Sequence, residues 1–508
     1  MQSYLLFAGY HEAHRQSFVQ NHSYKIQDTF LVETLFRNAT VVDGSGSERY
    51  IADVTVVGSR ITAVGQSSND QEAPGHVHVI DAACLVLCPG FIDAHTHDDR
   101  AVLAYPDMTP KVSQGVTTVV TGNCGISIAP LSDREPVPPL NLLGEQKEWN
   151  FPDFDSYAEA LDKSPAAVNS LMLTGHSTLR VGAMESLDKP ATRKELDLMC
   201  ARLDQNLNAG SVGFSTGLAY PPACNAPPEE ITELVAVLKH HQGVYTTHMR
   251  DEEDGVVESV EETLRVCFDT GVSTVISHHK ACGKANWGRT KETLPLIAKA
   301  RETHSVCCDV YPYTASSTVL LMSFINRSEK VMITWSKPHP EFQTWDLADI
   351  VKEMGCNLET AVERLQPAGA IYFQMSDADL ENVLSFEGAM IGSDGLPHDV
   401  HPHPRLWGTF PRVVGHYSRD KKLFPLENAI HRMTGSTAEN FNIKQRGLIK
   451  PGYHADLVLF DPDTIVDRAT YETPELPSTG IDSVMVNGTF TFTNKQVTGA
   501  RPGTLLTS

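Results

Sequence analysis

The stretch GFIDAHTHDD (90–99) places His95 and His97 one residue apart at the end of an apolar run, with Asp98 and Asp99 directly after them. Residues i and i+2 of an extended strand share a face, so both imidazoles aim at one point and can bind a metal there. Four further apolar runs finish in the same kind of chemistry. VTTVVTGNC ends in Cys124, GVYTTHM carries His248, VSTVISHH carries His278 and AMIGSDG carries Asp394. Imidazole, thiolate and carboxylate are the usual ligands of zinc. Each of these residues alone also fits an ordinary buried histidine or cysteine. Five strand ends that all present a ligand type point to a metal.

Two other motifs compete. GFSTG (213–217) matches the pattern of a nucleophilic serine on a strand-to-helix elbow, which needs a helix directly after Ser215. LAYPP follows instead, and Pro221 and Pro222 oppose a helix there, so Ser215 reads as a strand-end residue. His176 and the histidines of HDVHPHP (His398, His401, His403) read as loop packing in preference to a second metal site.

The elements that must position these residues alternate. Eight strand-like runs begin at GFIDAHTH, VTTVVTGNC, VNSLMLTGH, SVGFSTG, GVYTTHM, VSTVISHH, SVCCDVY and AMIGSDG. Amphipathic helical patterns separate most of them, such as PPEEITELVAVLKHH with its prolines and acidic first turn. Eight βα units predict a (β/α)8 TIM-like barrel over 89–440, with active residues at the C-terminal ends of its strands. An insertion at about 315–388 is far longer than an ordinary connection and reads as a lid or an inserted subdomain. Short β-type runs at 31–88 and 441–508 predict a small β-sandwich domain built from both termini. Residues 1–30 are polar and patternless, an N-terminal extension.

Composition narrows the partners. The 508 residues are 41% apolar, with no run long enough to cross a bilayer. A net charge of −22 argues against nucleic acid and anionic membranes. Ten cysteines without a Cys-x-x-Cys framework, and an N-terminus without a basic n-region, predict a reduced, cytoplasmic protein.

Taken in order, GFIDAHTHDD, GNCGIS, TGHSTLR, GFSTGLAYPP, THMRDE, ISHHK, IGSDG and GLIKPGYHADLVLFDP resemble the amidohydrolase superfamily. Within it, GNCGIS together with ISHHK resembles the N-acyl-D-amino-acid deacylases (D-aminoacylases), over about residues 31–501. The resemblance implies zinc-dependent hydrolysis of a small-molecule N-acyl-D-amino acid. Many superfamily members carry a modified lysine at the end of strand four; here GFSTG stands there, and the resemblance gives Cys124 the bridging or anchoring role. It also implies a tight zinc on Cys124, His248 and His278, with His95, His97 and Asp394 framing a second site that is weaker or empty.

Asp394 would then act as general base and acid. The product carboxylate calls for cations, and Lys280 and Arg405 stand close to His278 and Asp394 in sequence. By resemblance Tyr220, Tyr311 and Ser317 contact substrate, and Tyr372 and Met375 line its side-chain pocket. The runner-up activity is another amide or cyclic-amide hydrolase of the hydantoinase type, against which the absent strand-four lysine counts. A non-catalytic scaffold is disfavoured by the intact ligand set.

Overall fold

The computed structural model describes residues 33–66, 77–131, 137–144 and 150–507; the N-terminal extension lies outside them. Its centre is the expected barrel. The eight strands are Phe91–Asp93, Val116–Thr121, Asn169–Gly175, Gly213–Gly217, Val244–His248, Thr274–Ile276, Val306–Val310 and Ala389–Ile391. They pair in parallel, each with its sequence neighbour, except that strand seven reaches strand eight across the insertion. Every residue in them is buried, as parallel strands covered on both faces require.

The seam between strands one and eight is short. Ala94 N donates to Ile391 O at 3.2 Å, Asp394 N to His95 O at 2.8 Å, and Thr96 bridges to Gly395. The helices outside the barrel follow from their ends. Arg193–Ala209 starts in a capping box between Thr192 and Glu195, and Pro228–Val237 starts at a proline followed by Glu229 and Glu230. No helix among the described residues is long and apolar enough to cross a membrane.

Both ends of the chain share one nine-stranded sheet. Val86–Pro89 lies between Glu33–Val41, which it joins in parallel, and Leu457–Phe460, which it joins antiparallel. One residue later, across Gly90, the same chain enters barrel strand one. A Cβ on Gly90 would collide with the Thr117 side chain, so only glycine lets the two sheets approach at this crossing.

The insertion carries its own antiparallel sheet, with Ala368–Phe373 between Ala315–Val319 and Lys330–Ser336. Trp335 ties it to the segment after strand eight: its Nε1 donates to Asp399 Oδ1 at 2.9 Å, while Asp399 Oδ2 is buried with no hydrogen-bond partner among the described residues. Burial lifts this carboxyl to about 7, against the pull of Trp335 and Arg405.

A carboxyl raised on folding contributes most below its unfolded value, and that stability is lost as pH rises through the folded value. The window therefore runs from about 4 to about 7. Asp399→Asn should stabilise the protein, and by more at pH 8 than at pH 5. Melting curves of parent and variant at both pH values check this; an equal gain at both would refute the burial of that charge.

Candidate metal centre and active site

Three of the ligand-type residues leave their strands through a left-handed backbone. Cys124 (φ 54°), His278 (φ 36°) and Asp394 (φ 50°) adopt a conformation that side chains with a Cβ rarely take. It turns them sharply at the C-terminal rim, towards the barrel axis. The Cys124 loop is packed so closely that a Cβ on Gly217 would collide with the Cys124 carbonyl oxygen. Ser215 holds the same loop by accepting from Gly125 N at 2.9 Å, and no helix follows its strand. It is a fastening, not a nucleophile.

The five strand ends converge. His95, His97, Cys124 and Asp394 offer ligand atoms within 4.8 Å of one another, and Cys124, His248 and His278 form a second such group. Cys124 belongs to both. Its sulfur lies 3.2 Å from His95 Nε2 and 3.4 Å from His278 Nε2, and His97 Nε2 lies 3.2 Å from Asp394 Oδ1. All six residues are buried. His97 Nδ1 and His248 Nδ1 have no hydrogen-bond partner among the described residues, a costly state for a buried ring nitrogen. Four imidazoles, a thiol and a carboxylate with orphaned nitrogens among them fit a zinc-type ion well.

Electrostatics fit as well. Burial alone would raise the Cys124 thiol, but His95 and His278 hold it well below the ordinary thiol range. Asp394 is likewise opposed by burial and held well below the carboxylate range by Arg405 and His95. Both shifts favour the anionic form, the state in which these groups ligate.

Two carboxylates not foreseen from sequence orient the imidazoles. Asp309, inside strand seven, lies 3.3 Å from His95 Nδ1 and accepts from His278 N at 2.8 Å. Glu252 lies 3.0 Å from His278 Nδ1 and accepts from Lys280 Nζ at 2.6 Å. Such partners fix ring orientation and tautomer in metal sites. A lone acid within SVCCDVY, and the glutamate four residues after His248 in THMRDE, were the available signals.

A narrow cavity opens onto the ligands and is lined also by Tyr220, Lys280, Tyr311 and Ser317. Arg405 is fully buried beside it, with Nη1 2.8 Å from Asp394 Oδ2, Nη2 donating to Ser317 O at 3.1 Å, and its guanidinium 4.5 Å from the Tyr311 ring centre. Lys280 lies 5.8 Å from the same ring. The Tyr220 hydroxyl reaches Thr318 at 3.2 Å. Met375 lines an adjoining cavity that shares His278, Lys280 and Tyr311. Tyr372 lines neither: its hydroxyl donates to Val319 O at 2.8 Å and accepts from Leu321 N at 3.0 Å. Ser316, Arg327 and Gln374 of the insertion line the metal-facing cavity.

The other histidines considered from sequence take partners outside the ligand set, and His176 opens the helix His176–Ala183 instead of lying in a loop. His176 contacts Glu230 at 2.9 Å, His401 contacts Tyr471 O at 2.7 Å, and His403 accepts from Arg405 N at 3.0 Å. His398 lies 3.0 Å from Arg100.

The amidohydrolase family model matches residues 78–296 and 387–492. The chain belongs to that family and, within it, to the N-acyl-D-amino-acid deacylases, as its motifs implied. A D-aminoacylase of Alcaligenes xylosoxydans xylosoxydans is 48% identical over 93% of this chain and 97% of its own length. An N-acyl-D-aspartate deacylase of the same organism is 47% identical over 93% of this chain and 94% of its own. The crystal structure of the N-acyl-D-glutamate deacylase from Bordetella bronchiseptica, complexed with zinc and a phosphonate mimic of the tetrahedral intermediate, superposes with a TM-score of 0.88. It is 43% identical and covers 94% of this chain and all of that one.

If Cys124 is shared by both ligand groups, Cys124→Ala should strip most bound zinc and abolish turnover, while a cysteine that merely fills space would cost stability alone. Zinc content by mass spectrometry of the purified variant checks this; retained zinc would remove Cys124 from the site.

Proposed function

We propose that this chain hydrolyses the amide bond of N-acyl-D-amino acids, giving a carboxylate and a free D-amino acid, with zinc held by His95, His97, Cys124, His248, His278 and Asp394. The observation that carries this reading is a pair of unpartnered hydroxyls at the metal-facing cavity. Tyr311 OH and Ser317 Oγ are buried with no hydrogen-bond partner among the described residues, and the Tyr311 ring lies between Lys280 and Arg405. Two hydroxyl donors without partners, backed by cations already paired with Glu252 and Asp394, suit the α-carboxylate of an amino acid. The D-configuration is supported by the relatives, each named for a D-amino acid.

Zinc, when bound, would polarise the scissile carbonyl and lower the pKa of water toward neutrality. The chain's own part centres on Asp394. Its Oδ1 faces His97 and its Oδ2 faces Arg405, so it is ionised and able to take a proton from the attacking water. The same carboxyl then delivers that proton to the leaving amine nitrogen. Tyr220 packs on the His248 ring at 4.9 Å and closes that wall of the cavity. One tight zinc at the Cys124, His248 and His278 group, with a weaker second site, is the occupancy this donor set supports. Ten free cysteines support a reducing, cytoplasmic setting.

A second reading, a preference for acidic side chains, is favoured by Arg327. Its Nε donates to Gln374 Oε1 at 2.9 Å, it pairs with Glu253, and both Arg327 and Gln374 line the cavity.

Assays of N-acetyl-D- and L-amino acids, with dihydrouracil as the cyclic-amide control, test both readings. Turnover confined to D-substrates is expected; cleavage of dihydrouracil alone would overturn the assignment. Tyr311→Phe, which removes one unpartnered hydroxyl and leaves Asp394 and Arg405 in place, should cost roughly 1.5–3 kcal/mol in kcat/KM on the acid, and little on the corresponding amide. Arg327→Met should lower kcat/KM for N-acetyl-D-aspartate and N-acetyl-D-glutamate relative to N-acetyl-D-leucine by roughly tenfold, the worth of one charged hydrogen bond. An unchanged ratio would detach Arg327 from side-chain selection.

A further inference from the structure

We infer that Lys111 is a positioning residue for the ligand set: its buried ammonium joins Asp93, Asp98 and Ser393, the residues that flank His95, His97 and Asp394, across the seam of the barrel. The inference rests on the hydrolase reading above and concerns a group that touches neither substrate nor metal ligand.

Lys111 lies in the short helix Thr109–Val112 and is 1% exposed. Its Nζ donates to Asp93 Oδ2 at 2.8 Å and to Ser393 Oγ at 2.9 Å, and lies 3.1 Å from Asp98 Oδ2. These partners are fully buried as well. Each stands beside a ligand in the chain: Asp93 two residues before His95, Asp98 directly after His97, and Ser393 directly before Asp394.

The partners are themselves fastened to the ligand backbone. Asp93 Oδ1 accepts from Ser393 N at 2.7 Å and from His95 N at 3.3 Å. Ser393 Oγ accepts from Gly395 N at 3.2 Å. The Gly392–Ser393 and Asp394–Gly395 peptide bonds are thus pinned, and Asp394 is one of the residues in the left-handed conformation. A strained residue persists when its surroundings over-determine it. Here the over-determination passes through one ammonium.

A lysine enclosed with two carboxylates is an expensive way to close a barrel, since apolar residues of similar volume are often as stabilising. What the ammonium adds is direction. It fixes three backbone segments at once, at the one seam where strand pairing is thin. A misplacement of about 1 Å in a reacting group can cost roughly 10²-fold in rate, so such a fastening is worth its burial.

The test uses the full chain with two variants, Ser393→Ala and the double variant Lys111→Met with Asp98→Asn, which removes the cation together with one of its acids. The expected result is a kcat at least roughly tenfold lower, KM within about twofold and a melting temperature within about 4 °C of the parent. Zinc affinity of the apo-protein, measured by competition with a chromophoric chelator, should fall as well. A fall in kcat alone assigns the effect to Asp394, and a fall in zinc affinity alone to His95 and His97; either upholds the inference. Folded variants that keep both properties within about twofold of the parent, or lose only thermal stability or only KM, overturn it. If the double variant does not fold, Ser393→Ala decides. The zinc arm needs no substrate, so a wrong substrate assignment leaves it standing.

Discussion

Asp394 must carry its charge in a largely buried place, and much of the barrel mouth is arranged around that requirement. Burial works against its charge. Arg405 on one carboxylate oxygen, with His95 and His97 on the other side, restores it. Arg405 can do so because it is itself enclosed, stacked on Tyr311 and bonded to the Ser317 carbonyl. Those last two residues belong to the cavity where a substrate carboxylate would sit. One guanidinium therefore sets the charge of Asp394 and stands beside the cavity at the same time.

The same economy holds on the opposite ligand group. Glu252 sits against His278 Nδ1 and neutralises Lys280, so the orientation of a metal-facing ring and the position of a cavity cation are set by one carboxylate. Cys124, common to both ligand groups, lets a barrel lacking a strand-four lysine still bring its two halves to one point. These couplings make the residues poor candidates for independent roles, and variants at any of them will be non-additive.

Much of this was legible in the sequence. All eight strands and the ligand type ending five of them followed from apolar runs closing in histidine, cysteine or aspartate, because a buried parallel strand leaves little else for its terminal residue to do. The insertion announced itself by length. What stayed hidden were pairings between distant segments. The pairings of Asp309, Lys111 and Arg327 went unread, since no local pattern reveals which remote group will neutralise a charge. Lys280 was foreseen as a carboxylate reader, but its grip by Glu252 was not. The residues of the insertion that face the cavity, Ser316, Arg327 and Gln374, depend on the register of a three-stranded sheet that hydrophobic spacing alone does not set.

The sheet shared by the two ends of the chain has a consequence during synthesis. Val86–Pro89 leads directly into barrel strand one, yet one of its two neighbours, Leu457–Phe460, is among the last segments to leave the ribosome. Until then that strand offers a row of unpaired amides and carbonyls, an open edge of the kind that recruits other chains. The contacts on that side join residues as far apart in sequence as Cys88 and Val458, which makes their formation slow. A nascent chain truncated before residue 457 would therefore hold all six candidate ligands and still lack the partner that shields Val86–Pro89.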